Sequence, residues 1–458
     1  MKQDSVAGPS DNASTSLARR VTAFTAGCLI VSNMIGTGIY GTTGFMARDL
    51  GQPWLIMLVW TVGGLFAFLG ALCYAELGTS MPRAGGEYVY IREAFGPLLG
   101  FLSGWTSLTI GFSAAIAANA HLFSLHIHQL YPMLADRADA SEGIERLLYR
   151  RETIALVMVW GLTVVHIAGV GVGGFAQRAL TVLKVGALGL FVLAAVAFGS
   201  GSGTFSSDGS HAIPGLSIVL ASFLFVSFSF SGYNAAGYIA GEMIEPRRSI
   251  PRATLGASLC VTALYLALNA IYLYALPIDQ LAAEPIAPVA QKTGIALFGP
   301  AVGRWFTVVL SVSILGAVSA MIWAGPRVYH AMACDCVFPR LFSRTTRNTR
   351  SPAPAILLQS VWISVLILAG GFESLVLFAG FVLIVFTALA AGAVLVLRRR
   401  RPQESAYRVR PYPLVPIAFL ILSCAVMWAS IDVFPEESFW GLITVAAGVP
   451  FYFVWRKR

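Results

Sequence analysis

Charged residues are scarce in this chain, at 12% of 458 residues, about half the share of an ordinary soluble domain. So little polar surface cannot cover a water-soluble globule, which excludes reading the length as several soluble domains. Cysteine is equally thin. Cys28, Cys73, Cys260 and Cys424 lie within apolar runs, while Cys334 and Cys336 share one basic loop, so no disulfide framework is indicated. Cys334-Asp335-Cys336 lacks the two-residue spacing of a zinc knuckle. No apolar run presents clustered His, Asp and Glu ligands or a nucleophile–base pair, which argues against a membrane enzyme. Neither a metal nor another cofactor is expected.

Apolar residues fill the gap. They make up 57% of the chain, and the mean hydropathy is +0.74. A membrane-spanning helix needs about 20 mainly apolar residues. Twelve such runs occur, at 22–45, 54–78, 96–127, 153–170, 177–199, 213–241, 251–276, 301–329, 353–370, 374–397, 412–432 and 438–455. They are numbered spans 1 to 12 below. The expectation is a polytopic, all-α membrane protein. The net charge of +9 does not indicate a nucleic-acid partner, because the basic residues sit in short runs between spans, as at 398–401.

Those basic residues orient the chain. With the N-terminus inside, 23 of the 31 Lys and Arg residues fall in inner segments and 7 in outer ones, the bias expected of cytosolic loops. Residues 1–20 read as a cytosolic tail without a cleaved signal, and an even number of spans returns the C-terminus to the cytosol.

Spanning helices should be continuous unless a break lines a cavity. Two spans carry Gly- and Ser-rich interruptions: Ser32-Asn33-Met34-Ile35-Gly36-Thr37-Gly38-Ile39-Tyr40 in span 1, and Ser227-Phe228-Ser229-Phe230-Ser231-Gly232-Tyr233-Asn234 in span 6. Close helix packing would account for either run alone. Their separation by five spans is the placement expected of two inverted five-helix repeats, each opening with a broken helix. Such breaks expose amides that attract a carboxylate and carbonyls that attract an ammonium. A zwitterionic amino acid is the natural guest.

At these residues the chain resembles the amino acid–polyamine–organocation transporters, and most of all the L-type neutral amino acid transporter light chains and their bacterial relatives. Gly36-Thr37-Gly38-Ile39-Tyr40 matches the family's first-helix run. Tyr74-Ala75-Glu76-Leu77-Gly78-Thr79-Ser80-Met81-Pro82-Arg83-Ala84-Gly85-Gly86-Glu87-Tyr88 resembles its inner-loop signature. Residues 228–234, 241–251, 327–342 and 441–453 also match, so the resemblance runs from about residue 20 to the C-terminus. It implies the leucine-transporter-like fold with a transport core at 21–410, followed by helices 11 and 12 at 411–458. A bundle of helices 1, 2, 6 and 7 would move against helices 3, 4, 8 and 9.

By the same resemblance, the substrate site comprises Met34, Gly36, Thr37, Gly38, Phe228, Ser231, Tyr233 and Asn234. The substrate carboxylate would meet the amides of Thr37 and Gly38, and its ammonium the carbonyls of Met34, Phe228 and Ser231. Phe228 would be the aromatic gate. Tyr233 stands where many light chains have tryptophan, and Ser231 where they have glycine. Both departures alter the pocket.

Lys184 lies in span 5, where a helix-centre lysine costs about 2.5–3.5 kcal/mol. It either snorkels to the inner interface or bonds the broken backbone of span 1 in place of a sodium ion. The second reading predicts sodium-independent transport, with Ser313 or Ser319 completing the site. Glu76 and Glu242 are either exposed helix-end carboxylates or inner-gate residues, Glu242 pairing with Arg83 or Arg20. His121, His126, His128 and His166 read as packing residues, although a histidine titrates near neutral pH and could serve proton coupling. Asn33, Asn119 and Asn269 are expected to bond across helices.

The loop at 129–152 has no cysteine, whereas in animal light chains a cysteine there holds a glycoprotein partner. No disulfide-linked heavy chain is therefore expected. The reading is sodium-independent exchange of neutral L-amino acids across a bacterial inner membrane. Proton-coupled symport and a non-transporting amino acid receptor are the alternatives.

Overall fold

A computed structural model describes residues 19–456, apart from 141–146, 204–211, 285, 287, 348, 370–371 and 401–405. Nearly all of the expected tail at 1–20 therefore lies outside the described residues. Among those described there is no β-strand, and the sole bridge joins Val21 to Met243. Among the described residues, nine helices are long and apolar enough to cross a membrane. Spans 4, 6 and 9 instead form Arg151–Ile167, Leu216–Phe230 and Ala353–Ala369, of 17, 15 and 17 residues.

The functional helices come in pieces. Span 1 divides into α1 (Ala23–Met34) and α2 (Thr37–Leu50). Next come α3 (Pro53–Ser80), α4 (Glu87–Phe95) and α5 (Pro97–Thr106), then a π-helical turn, Ser107–Gly111, leading into α6 (Phe112–Leu130). The expected outer loop contains a helix, α7 (Pro132–Ala140), before α8 (Arg151–Ile167) and α9 (Val170–Phe198). Span 6 stops after α10 (Leu216–Phe230) and resumes as the short α11 (Ala235–Tyr238).

Then follow α12 (Pro246–Ala275), α13 (Ile278–Ala282), α14 (Val289–Ala324) and α15 (Pro326–Cys334). Within α14 the chain breaks at Gly299, whose φ is +81°, and turns into Pro300. The helical piece after the break begins where span 8 is expected, and a shorter piece from Val289 precedes it. The chain ends in α16 (Ala353–Ala369), α17 (Phe372–Arg400), α18 (Leu414–Val433) and α19 (Pro435–Trp455). Proline stands in the first turn at Pro53, Pro97, Pro246, Pro326 and Pro435, where its missing N–H costs no helical bond.

Two packed groups emerge. Helix α12 lies against α3 and α1, while α6 lies against α14, α8 and α16. Outward-facing side chains are apolar: Leu193, Val196, Phe198 and Trp305 are 69%, 75%, 81% and 75% exposed. Water would make such a surface an aggregation liability; lipid makes it a solvated one.

Candidate functional site

The two helix breaks touch. Helix α1 ends at Met34, Ile35 and Gly36 are extended, and α2 begins at Thr37. In span 6, Ser231 is extended and Gly232 has φ +108°. A side chain at Gly232 would be strained, and its Cβ would lie 3.0 Å from Asn33 Cβ in the other break. Gly38 is tighter still, since a Cβ there would lie 2.6 Å from Ser229 Cα. Glycine is what allows the half-helices this approach.

Beside the second break is a cavity of about 50 Å³, room for a few waters. Asn33, Ser231, Gly232, Tyr233, Asn234 and Glu87 line its polar side, with Phe66, Phe112 and Phe230 among its apolar walls. Of the expected substrate residues, Ser231, Tyr233 and Asn234 thus share one cavity. Met34, Gly36, Thr37, Gly38 and Phe228 are buried next to it without lining it, and Ser227 and Phe230 take the lining positions expected of Phe228.

Several backbone groups of the breaks already have partners. The Thr37 amide donates to Asn119 Oδ1 at 3.2 Å. Met34 O accepts the Tyr265 hydroxyl at 2.6 Å, and Ser229 O lies 3.0 Å from the same hydroxyl. Phe228 O accepts both the Ser231 amide and the Ser231 hydroxyl, at 3.1 and 2.6 Å. Asn119 and Asn269 do bond across helices, Asn269 accepting from the Thr43 hydroxyl at 2.6 Å. Asn33 Oδ1 is buried and has no partner among the described residues.

Lys184 is 1% exposed. Its helix begins at Val170, well before the expected start at 177, so the lysine sits mid-helix and does not snorkel. Its Nζ donates to Ile35 O at 2.6 Å and to Ser32 O and Oγ at 3.2 and 3.3 Å. The expected helper hydroxyls are engaged elsewhere. Ser313 bonds the Tyr40 hydroxyl, and Ser319 bonds His166 Nε2 at 2.9 Å. Ser32, from the break itself, supplies the hydroxyl instead.

The inner carboxylates require a larger correction. Neither is exposed: Glu242 and Glu76 have 0% and 4% of their surface accessible. Glu242 Oε1 accepts from Arg327 Nε at 2.8 Å and Oε2 from Trp323 Nε1 at 3.3 Å. Arg83 instead faces Glu93 at 3.3 Å, and Arg20 meets Glu242 only through its backbone amide, which donates to Glu242 O at 2.9 Å. Burial explains the choice of Arg327, which is 2% exposed: a desolvated carboxylate needs a desolvated cation. Glu76 accepts a two-pronged bond from Arg398, at 2.6 and 2.5 Å, and the Val409 amide at 2.7 Å.

The profile of the amino acid permease family matches residues 21–449. This chain belongs to that family. The permease is 27% identical over 436 residues to the Serine/threonine exchanger SteT of Bacillus subtilis, covering 94% of this chain and 95% of that one. It is likewise 27% identical over 440 residues to Large neutral amino acids transporter small subunit 2 of Homo sapiens (93% and 78% covered). Asc-type amino acid transporter 1 of Mus musculus is 28% identical over 461 residues (96% and 82% covered). The family and these relatives are amino acid transporters.

Two residues of the permease site escaped sequence reasoning. Tyr265, in the middle of span 7, joins both breaks; it is one of three tyrosines in that span, with Tyr272 and Tyr274, and nothing local singles it out. Glu87, 3% exposed, accepts from Asn234 Nδ2 at 2.7 Å and from the Tyr74 hydroxyl. It stands in the inner-loop signature, yet nothing local reveals that the loop folds it into the cavity.

Proposed function

We propose that the permease carries neutral amino acids across a membrane by sodium-independent exchange and alternating access, with inverted repeats opening at the two breaks. Lys184 carries this reading. Its ammonium occupies the carbonyl-lined side of the first break, as a bound cation would, and makes three bonds to Ser32 and Ile35. The names of the relatives, an exchanger of serine and threonine and a transporter of large neutral amino acids, agree with it.

In this mechanism the substrate carboxylate displaces Asn119 Oδ1 from the Thr37 amide and reaches Gly38. The ammonium takes the free lone pairs of Met34 O and Phe228 O together with Asn33 Oδ1. Phe228, Ser231, Tyr233 and Asn234 shape the side-chain pocket, and the Glu242–Arg327 and Glu76–Arg398 pairs close the inner side. The charge bias supports cytosolic termini in twelve spans, a bacterial inner membrane is the setting we propose, and the cysteine-free outer loop supports operation without a heavy chain.

Proteoliposome uptake of labelled neutral amino acids, in sodium-free buffer without a pH gradient, tests the reading. Strong stimulation by unlabelled internal amino acid is expected. Uptake that required sodium would overturn it.

One observation favours a second reading, proton coupling. Glu87 is a buried carboxyl lining the cavity, bonded to the neutral side chains of Tyr74, Asn234 and Tyr238, so a proton could neutralise it at little structural cost. Uptake driven by an inward proton gradient, lost in Glu87→Gln, would select this reading over exchange.

A further inference from the structure

A second cavity, of about 630 Å³, opens on the outer face of α1 where that helix rests between α9 and α12. Its volume falls in the range of small-molecule pockets, about 300–1,000 Å³. Val31 and Cys28 of α1, Val182 and Val185 of α9, and Ala257 and Cys260 of α12 wall it. Its floor is open: a Cβ added at Gly27, Gly186 or Gly256 would meet nothing within 4 Å. The groove is therefore apolar and, among the described residues, uncovered.

Its mouth is basic. Arg252 lines the groove one turn before Gly256 and two before Cys260, on the same helix face. Arg178 precedes Val182 and Val185 at the matching spacing on α9. Both arginines are exposed, and among the described residues no carboxylate pairs with either. Unpaired guanidinium groups at a membrane interface favour phosphate, and an apolar groove continuous with them favours hydrocarbon. A phospholipid offers both, and an anionic one brings no headgroup ammonium to repel the two guanidinium groups.

We propose that this groove binds one anionic phospholipid, its phosphate on Arg252 and Arg178 and an acyl chain along Gly27, Gly186 and Gly256. The occupant braces α1, the helix that carries Ser32 and Met34 into the first break. The brace rests on the transport reading, whereas the lipid site does not.

Native mass spectrometry of the purified full chain, titrated with phosphatidylglycerol and with phosphatidylethanolamine, tests the site without any transport assay. Phosphatidylglycerol is expected to bind more tightly, and the double variant Arg178→Gln/Arg252→Gln to weaken it about thirtyfold, with a smaller loss for phosphatidylethanolamine, whose ammonium already opposes the two arginines. Gly256→Leu, which fills the groove, should abolish binding of both. Should that variant fail to fold, maleimide labelling of Cys260 in the wild-type chain, mapped by peptide, is expected to slow with phosphatidylglycerol and not with inorganic phosphate. Equal affinity for the two lipids, unchanged binding in the double variant, or protection of Cys260 by inorganic phosphate would each overturn the site. Uptake that is the same in liposomes with and without phosphatidylglycerol, while the lipid binds, would overturn the brace.

Discussion

Lys184 and the carbonyls it holds are one unit. Lys184→Met keeps the apolar stem and removes the three bonds to Ser32 and Ile35. Hydrogen bonds to a charged group contribute about 1.5–3 kcal/mol each, so loss of even one should slow transport about tenfold to a hundredfold. Exchange in proteoliposomes measures the effect; uptake within twofold of wild type would show that the lysine only fills space. Tyr265→Phe is a finer test. One hydroxyl proton serves both Met34 O and Ser229 O, at 2.6 and 3.0 Å, so it bonds one fully at a time. Its loss should cost about 0.5–1.5 kcal/mol, read as a severalfold slower exchange with little change in melting temperature.

Elements, more than single residues, decide the geometry of the breaks. Gly232→Ala adds a Cβ 3.0 Å from Asn33 Cβ at a backbone with φ +108°, a conformation that costs an ordinary residue about 1–3 kcal/mol. Exchange should fall sharply, while Gly161→Ala, with open space beside it, leaves it unchanged. Both breaks were legible from sequence because glycine and serine interrupt otherwise apolar helices. Which groups the breaks expose was not. Asn119 and Tyr265 reach them from spans 3 and 7 across distances that no local pattern encodes, and the Thr37 amide is held by Asn119 as a result. The start of α9 was also misplaced, since Gly-rich residues at 171–174 read as a loop but continue the helix. That shift turned Lys184 from an interface candidate into a buried one.

Across the whole molecule, the buried ion pairs join helices far apart in the sequence. Arg327 and Glu242 join α15 to the end of span 6, and Arg398 and Glu76 join α17 to α3. Glu242→Gln leaves Arg327 charged and buried, which costs about 3–5 kcal/mol, and thermal unfolding should register it as a clear drop in melting temperature. The charge bias that oriented the chain could not name these partners, because it counts arginines by loop and is blind to burial. Arg327 is 2% exposed and fastened to Glu242 and to Trp323 O.

An ionic clasp differs from an apolar one in what happens when it opens. Two apolar surfaces prised apart in water remain costly for as long as they stay apart. Arg327 and Glu242, once separated, are each rehydrated, and that return of solvation offsets much of the attraction they lose. In the proposed mechanism, the same chemistry that closes the inner side therefore makes the open form habitable. Replacing the pair by leucine and methionine should give a protein that melts later and turns over more slowly, a latch without a release.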